Sequence, residues 1–145
     1  REALDDSIDL LGPNSIYVVR IDGRFNRVAA RTELYQHEPY KPFAKVLETD
    51  ERRFAFENVD GSLVCFYFPK FMDGVNTPGW HFHFINDART FGGHVFDVDM
   101  VHGTATLNKT DRFILDLPTN RAFQHAALEN ASKEEIRQVE QGGIK

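Results

Sequence analysis

Cysteine is almost missing from this chain, which carries one, Cys65, among 145 residues. A lone thiol cannot close an internal disulfide, so a disulfide scaffold is excluded and a reducing compartment, the cytoplasm, is the expected setting. Long apolar runs are missing as well. Nothing approaches the roughly 18 consecutive residues that cross a bilayer, and no charged-then-apolar leader opens the sequence, so no membrane partner is expected. Positive charge is in deficit, with 17 Lys and Arg against 22 Asp and Glu, a net charge of −5 and a pI near 5.6. That balance removes any general attraction to nucleic acid or anionic surfaces. Repeats, low-complexity tracts and internal linkers are also lacking, so residues 1–145 are expected to form a single domain. The chain starts at Arg1 without an initiator methionine, and a processed or truncated product is expected.

Aromatic residues are plentiful. Phenylalanine alone occurs 13 times, mostly inside alternating stretches, which favours β-structure around an aromatic core. A domain of this size buries roughly 68–70% of its unfolded surface, enough for a core without covalent staples. Leu4, Ile8 and Leu11 have helical spacing, and Gly12-Pro13 ends that lead-in helix. The β-branched run from Ser15 to Ile21 predicts a strand. Asp22-Gly23 predicts a hairpin turn, with Phe25 to Arg31 as the return strand.

Gln36 to Pro42 reads as loop because of its prolines. Asp60-Gly61, between Arg53–Val59 and Ser62–Phe68, predicts a second hairpin, and Pro69 to Pro78 a further irregular connection. Cys65 falls in a buried strand and reads as a small core residue. Downstream, a hairpin is expected over His81 to Val101, then short strands at Thr104–Lys109 and Arg112–Leu117. Asp97 and Asp99 read as solvent-facing strand residues. His37, His102 and His125 read as surface residues. A last helix is expected from Ser132, an N-cap with Glu135 three residues on, to about Glu140. The fold class is therefore α+β, mostly β: a small antiparallel sheet or half-open β-barrel with short capping helices.

The densest chemistry lies in Pro78-Gly79-Trp80-His81-Phe82-His83-Phe84 and, after a turn, Gly92-Gly93-His94. Period-two alternation places His81 and His83 on one face of a strand and Phe82 and Phe84 on the other. Asn86-Asp87 and Gly92-Gly93 are turn signals, so His94 returns on a neighbouring strand. If it lies opposite His83 or His81, three imidazoles converge at separations compatible with Zn–N bonds of about 2.0–2.1 Å. Three histidines without a thiolate match a catalytic zinc, which keeps positions open for water or substrate. The plain alternative is a strand edge with two exposed histidines and a third in a polar turn.

These two motifs resemble the signature of the α-acetolactate decarboxylases, with tryptophan at position 80 where that family more often has tyrosine. Tyr17 to Gly23, Arg31, Gln36 with Pro39-Tyr40-Lys41-Pro42, and Gly61-Ser62-Leu63-Val64 resemble it too, in order and spacing. The resemblance covers only the C-terminal part of such an enzyme. The family's N-terminal half, with a glutamate that reaches the active site, has no counterpart here.

The resemblance implies decarboxylation of 2-acetolactate, a small 2-hydroxy-3-oxo acid, to acetoin and carbon dioxide. It implies Zn2+ or another divalent metal at His81, His83 and His94, and no organic cofactor. Arg31 would be the substrate-facing arginine, its planar fork suited to a carboxylate. Glu140, in the pair Val139-Glu140, would face the metal from the C-terminal helix. Two other readings remain: a cupin-like metal enzyme, since H-x-H on a barrel strand recurs there, and a non-catalytic metal-binding or dimerising module. A homodimer is the one protein assembly expected under any of these readings.

Overall fold

A computed structural model of the chain describes residues 1–127. Its elements in order are helix α1 (Glu2–Leu11), strand β1 (Ile16–Glu33), helix α2 (Phe43–Asp50), strand β2 (Glu51–Phe68), a 3-10 turn at Lys70–Met72, strands β3 (Gly79–Asn86) and β4 (Gly92–Thr110), and helix α3 (Arg121–Gln124). The architecture is the expected one, mostly β and antiparallel, with a few short helices. The described residues contain no helix long and apolar enough to cross a membrane.

Strand β1 is central, pairing with β2 on one side and β4 on the other along nearly its whole length. The second half of β2 pairs with β3, and β3 turns back into β4, so the pairings run β1–β2–β3–β4 and return to β1. The β3–β4 link consists of the pairs His83–His94, Phe84–Gly93 and Ile85–Gly92.

Two expected hairpins are corrected by this topology. Asp22-Gly23 and Asp60-Gly61 lie inside the continuous strands β1 and β2, and neither glycine has the left-handed φ that a tight hairpin turn requires. Gly23 instead faces Gly61 on one side and Gly103 on the other. A Cβ at Gly23 would lie 2.2 Å from the carbonyl oxygen of His102, so the missing side chain permits close strand approach rather than a turn.

Two strand expectations change for a related reason. Thr104–Lys109 is the far end of β4, paired with the start of β1, and His102 lies within that same strand, exposed. Arg112–Leu117 alternates in sequence yet is irregular and exposed, with no neighbouring strand among the described residues. Helix α2 was not anticipated. It is eight residues long, buries only Val46 and has no side-chain cap, so little in its sequence announces it.

The core is the inner face of this sheet. Val19, Ile21, Phe25, Val28, Ala30, Leu63, Cys65, Phe84 and Val95 form one buried cluster, with Phe56, Trp80 and Phe82 packed against it. Phe25 meets Phe84 edge-on at 5.4 Å, and each such buried side chain contributes about 1.5–3 kcal/mol. Cys65 lies in this cluster as expected, and burial pushes its thiol up to about 12. Helix α1 docks alongside through Leu4, while Trp80 Nε1 donates to Asp5 Oδ1 at 2.7 Å.

Candidate metal centre

Strand β3 sorts its side chains as the alternation requires. Phe84 is buried and Phe82 packs on the core, whereas His81 and His83 project from the opposite face. His94, third residue of β4, lies directly opposite His83. Opposed residues of an antiparallel pair share a face, which brings the third imidazole to the other two.

The three histidines each offer a ring nitrogen, and these atoms lie within 4.8 Å of one another. His81 Nε2 and His83 Nε2 are 2.9 Å apart. Their rings stack at an interplanar angle of 14°, and the His94 ring stands edge-on to both, at 4.6 Å from His81 and 5.4 Å from His83. Two nitrogens bound to one tetrahedral ion at about 2.0–2.1 Å lie roughly 3.3 Å apart, so the observed separations bracket what a shared ion requires. Among the described residues, this is the cluster of histidine, cysteine and acidic side chains that could hold a metal. His81 and His94 are half-buried and His83 is exposed, so the cluster opens to solvent on one side. The donor set fits a divalent ion with room for further ligands.

Arg31 stands beside this cluster. It is the β1 partner of His94 and is 3% exposed. Its Nη1 donates to Glu51 Oε2 at 2.9 Å, and Glu51 Oε1 accepts a short hydrogen bond from Arg53 Nε. Burial acts to raise the Glu51 carboxyl. The hydrogen bonds from Arg53 and Arg31, together with their charges, outweigh it and hold the group below its ordinary value.

Glu51 and Arg53 had no place in the sequence-based site. The available signal was their i, i+2 spacing, which puts both on one strand face. Linking that face to Arg31 needs the β1–β2 register, in which Arg31 opposes Arg53.

Other candidates fall elsewhere. Asp97 accepts from Arg27 Nη1 at 2.7 Å, and Asp99 from Asn26 Nδ2 at 3.0 Å, both exposed as expected. His37, His102 and His125 are likewise exposed. Glu140 lies outside the described residues.

The family profile described as Alpha-acetolactate decarboxylase matches residues 1–130. An alpha-acetolactate decarboxylase of Methanosarcina mazei is 41% identical over 139 residues, covering 94% of this chain and 48% of the relative. The Bacillus subtilis counterpart is 37% identical over 132 residues, covering 90% and 51%. The crystal structure of alpha-acetolactate decarboxylase from Bacillus subtilis strain 168 superimposes with a TM-score of 0.87 at 35% identity, covering 97% of this chain and 61% of that one. The chain spans about half the length of the curated relatives it matches.

Proposed function

The chain belongs to the alpha-acetolactate decarboxylase family, and on that premise we propose that it acts in the decarboxylation of 2-acetolactate to acetoin and carbon dioxide, with zinc held by His81, His83 and His94. The observation that carries this reading is the direct opposition of His83 and His94, with His81 Nε2 at 2.9 Å from His83 Nε2. When bound there, a divalent ion supplies Lewis acidity towards the vicinal ketone and hydroxyl oxygens of such a substrate.

The protein's own residues account for the rest of the reaction. As the bond to the carboxylate carbon breaks, its electron pair passes into the neighbouring ketone, and a proton must later reach carbon to give acetoin. Arg31 is buried and presents a planar fork of N–H donors, so it can hold the carboxylate or take up charge developing on oxygen. The β-sheet floor beneath the histidines, built from Phe82, Phe84 and their neighbours, keeps water from the inner side. Glu140 is assigned proton delivery on the sequence resemblance.

The half-length match supports one alternative, a metal-binding module that needs the remainder of its relatives' length for turnover. The test is to load the full chain with zinc, measure bound metal, add 2-acetolactate and follow acetoin and carbon dioxide together. Stoichiometric zinc with equal amounts of both products supports the decarboxylase. Stoichiometric zinc without product supports the module, and absence of bound zinc contradicts both.

A further inference from the structure

We propose that Glu51 is a positioning residue, which clamps Arg31 beside the histidine cluster and so sets how a substrate carboxylate is received; this rests on the decarboxylase reading of the same site. A guanidinium on a flexible stem holds one orientation only if its partners fix it. Arg31 and Glu51 are both largely withdrawn from solvent, with side chains 4% and 11% exposed. Each Glu51 oxygen is committed to a different arginine, Oε2 to Arg31 and Oε1 to Arg53. Arg53 is itself held, its guanidinium carbon lying 5.2 Å from the centre of the Phe96 ring.

The backbone around Glu51 is fixed too. Helix α2 ends at Asp50 and β2 begins at Glu51, with the Asp50 carbonyl accepting from Leu34 N at 2.9 Å. The Asp50 side chain accepts from Thr49 Oγ1 at 3.1 Å and Gln36 Nε2 at 3.3 Å. The junction therefore presents the Glu51 carboxylate from a tethered position.

Charge explains why a carboxylate belongs there. Arg31 and Arg53 are cross-strand partners, and like charges directly opposite repel. Glu51 between them offsets that repulsion and holds the two guanidiniums on one side of the sheet next to His94. Without the negative charge, Arg31 would turn away from Arg53 and lose its aim.

The test uses the full chain loaded with zinc, metal content checked, and calorimetric titration with 2-hydroxyisobutyrate, an unreactive 2-hydroxy acid. Glu51→Gln keeps shape but removes charge. It should retain zinc and weaken probe binding about tenfold, while adding no further loss in an Arg31→Lys background, because both changes act through one guanidinium. Glu51→Asp keeps the charge but falls short of Arg31, and should show an intermediate loss. It also decides the matter if Glu51→Gln does not fold. Wild-type affinity in either variant, or losses that multiply in the double variant, would overturn the clamp, as would a wild-type protein that holds zinc but not the probe. A wild-type protein that binds the probe but releases no acetoin would contradict the decarboxylase reading and leave the clamp standing.

Discussion

Replacing Gly92 by alanine should weaken metal binding without touching a ligand. A Cβ at Gly92 would lie 2.2 Å from the carbonyl oxygen of Phe84, and Cβ atoms essentially never approach another heavy atom within 3.0 Å. The obstacle is backbone, so β3 and β4 must part by at least about 0.8 Å, the difference between those two distances. Their link has three residue pairs, one of them His83–His94. Parting it therefore moves His94 away from His83.

Forcing an extra methyl into a packed site costs about 1–3 kcal/mol. If zinc binds only the paired arrangement, that cost appears as roughly 5–150-fold weaker zinc affinity. Competition with a chromophoric chelator measures the affinity, and circular dichroism of the same sample shows whether the sheet persists. Wild-type zinc affinity with the sheet intact would refute the claim that close β3–β4 approach assembles the site.

Three further outcomes follow from the same geometry. Arg31→Lys keeps the charge but loses the planar fork, so acetoin formation should fall at least about tenfold with bound zinc unchanged; equal turnover would return Arg31 to a structural role. Glu140→Gln should keep zinc and lose most decarboxylation, with the acid limb of the pH–rate profile altered, and normal turnover would remove Glu140 from the mechanism. Because the Glu51 carboxyl is held below its ordinary 4.5 in the fold, its contribution to stability is complete above 4.5 and is lost as pH falls through the lower, folded value. Urea unfolding at pH 6 and pH 3.5 should thus show a smaller acid-induced loss for Glu51→Gln than for wild type, and identical losses would contradict that sign.

Much of the site was legible because it depends on period-two alternation over a few residues. His81, Phe82, His83 and Phe84 sort to two faces whatever the strand pairs with, and Asn86-Asp87 marks the turn towards His94, whereas Gly92 and Gly93 are already paired residues of β4. What could not be read depends on contacts between strands far apart in sequence. Gly23, Gly61 and Gly103 meet at one level of the sheet. Locally, Asp22-Gly23 and Asp60-Gly61 carry the same chemistry as hairpin turns, and only the crossing strands show that the glycines serve close approach. Helix α2 is short and uncapped and buries only Val46, so its sequence carries little signal for it. Glu51 and Arg53 join the site only through the register, which sets Arg53 against Arg31 and brings the Glu51 side chain within reach of it.

The central claim is that His81, His83 and His94 together hold one divalent ion, and the most direct measurement is zinc stoichiometry in the full chain compared with the triple variant His81→Ala, His83→Ala and His94→Ala. Inductively coupled plasma analysis after equilibration and desalting should find about one zinc per wild-type chain and almost none in the triple variant, with both proteins folded by circular dichroism. Stoichiometric zinc retained by the triple variant would contradict the account.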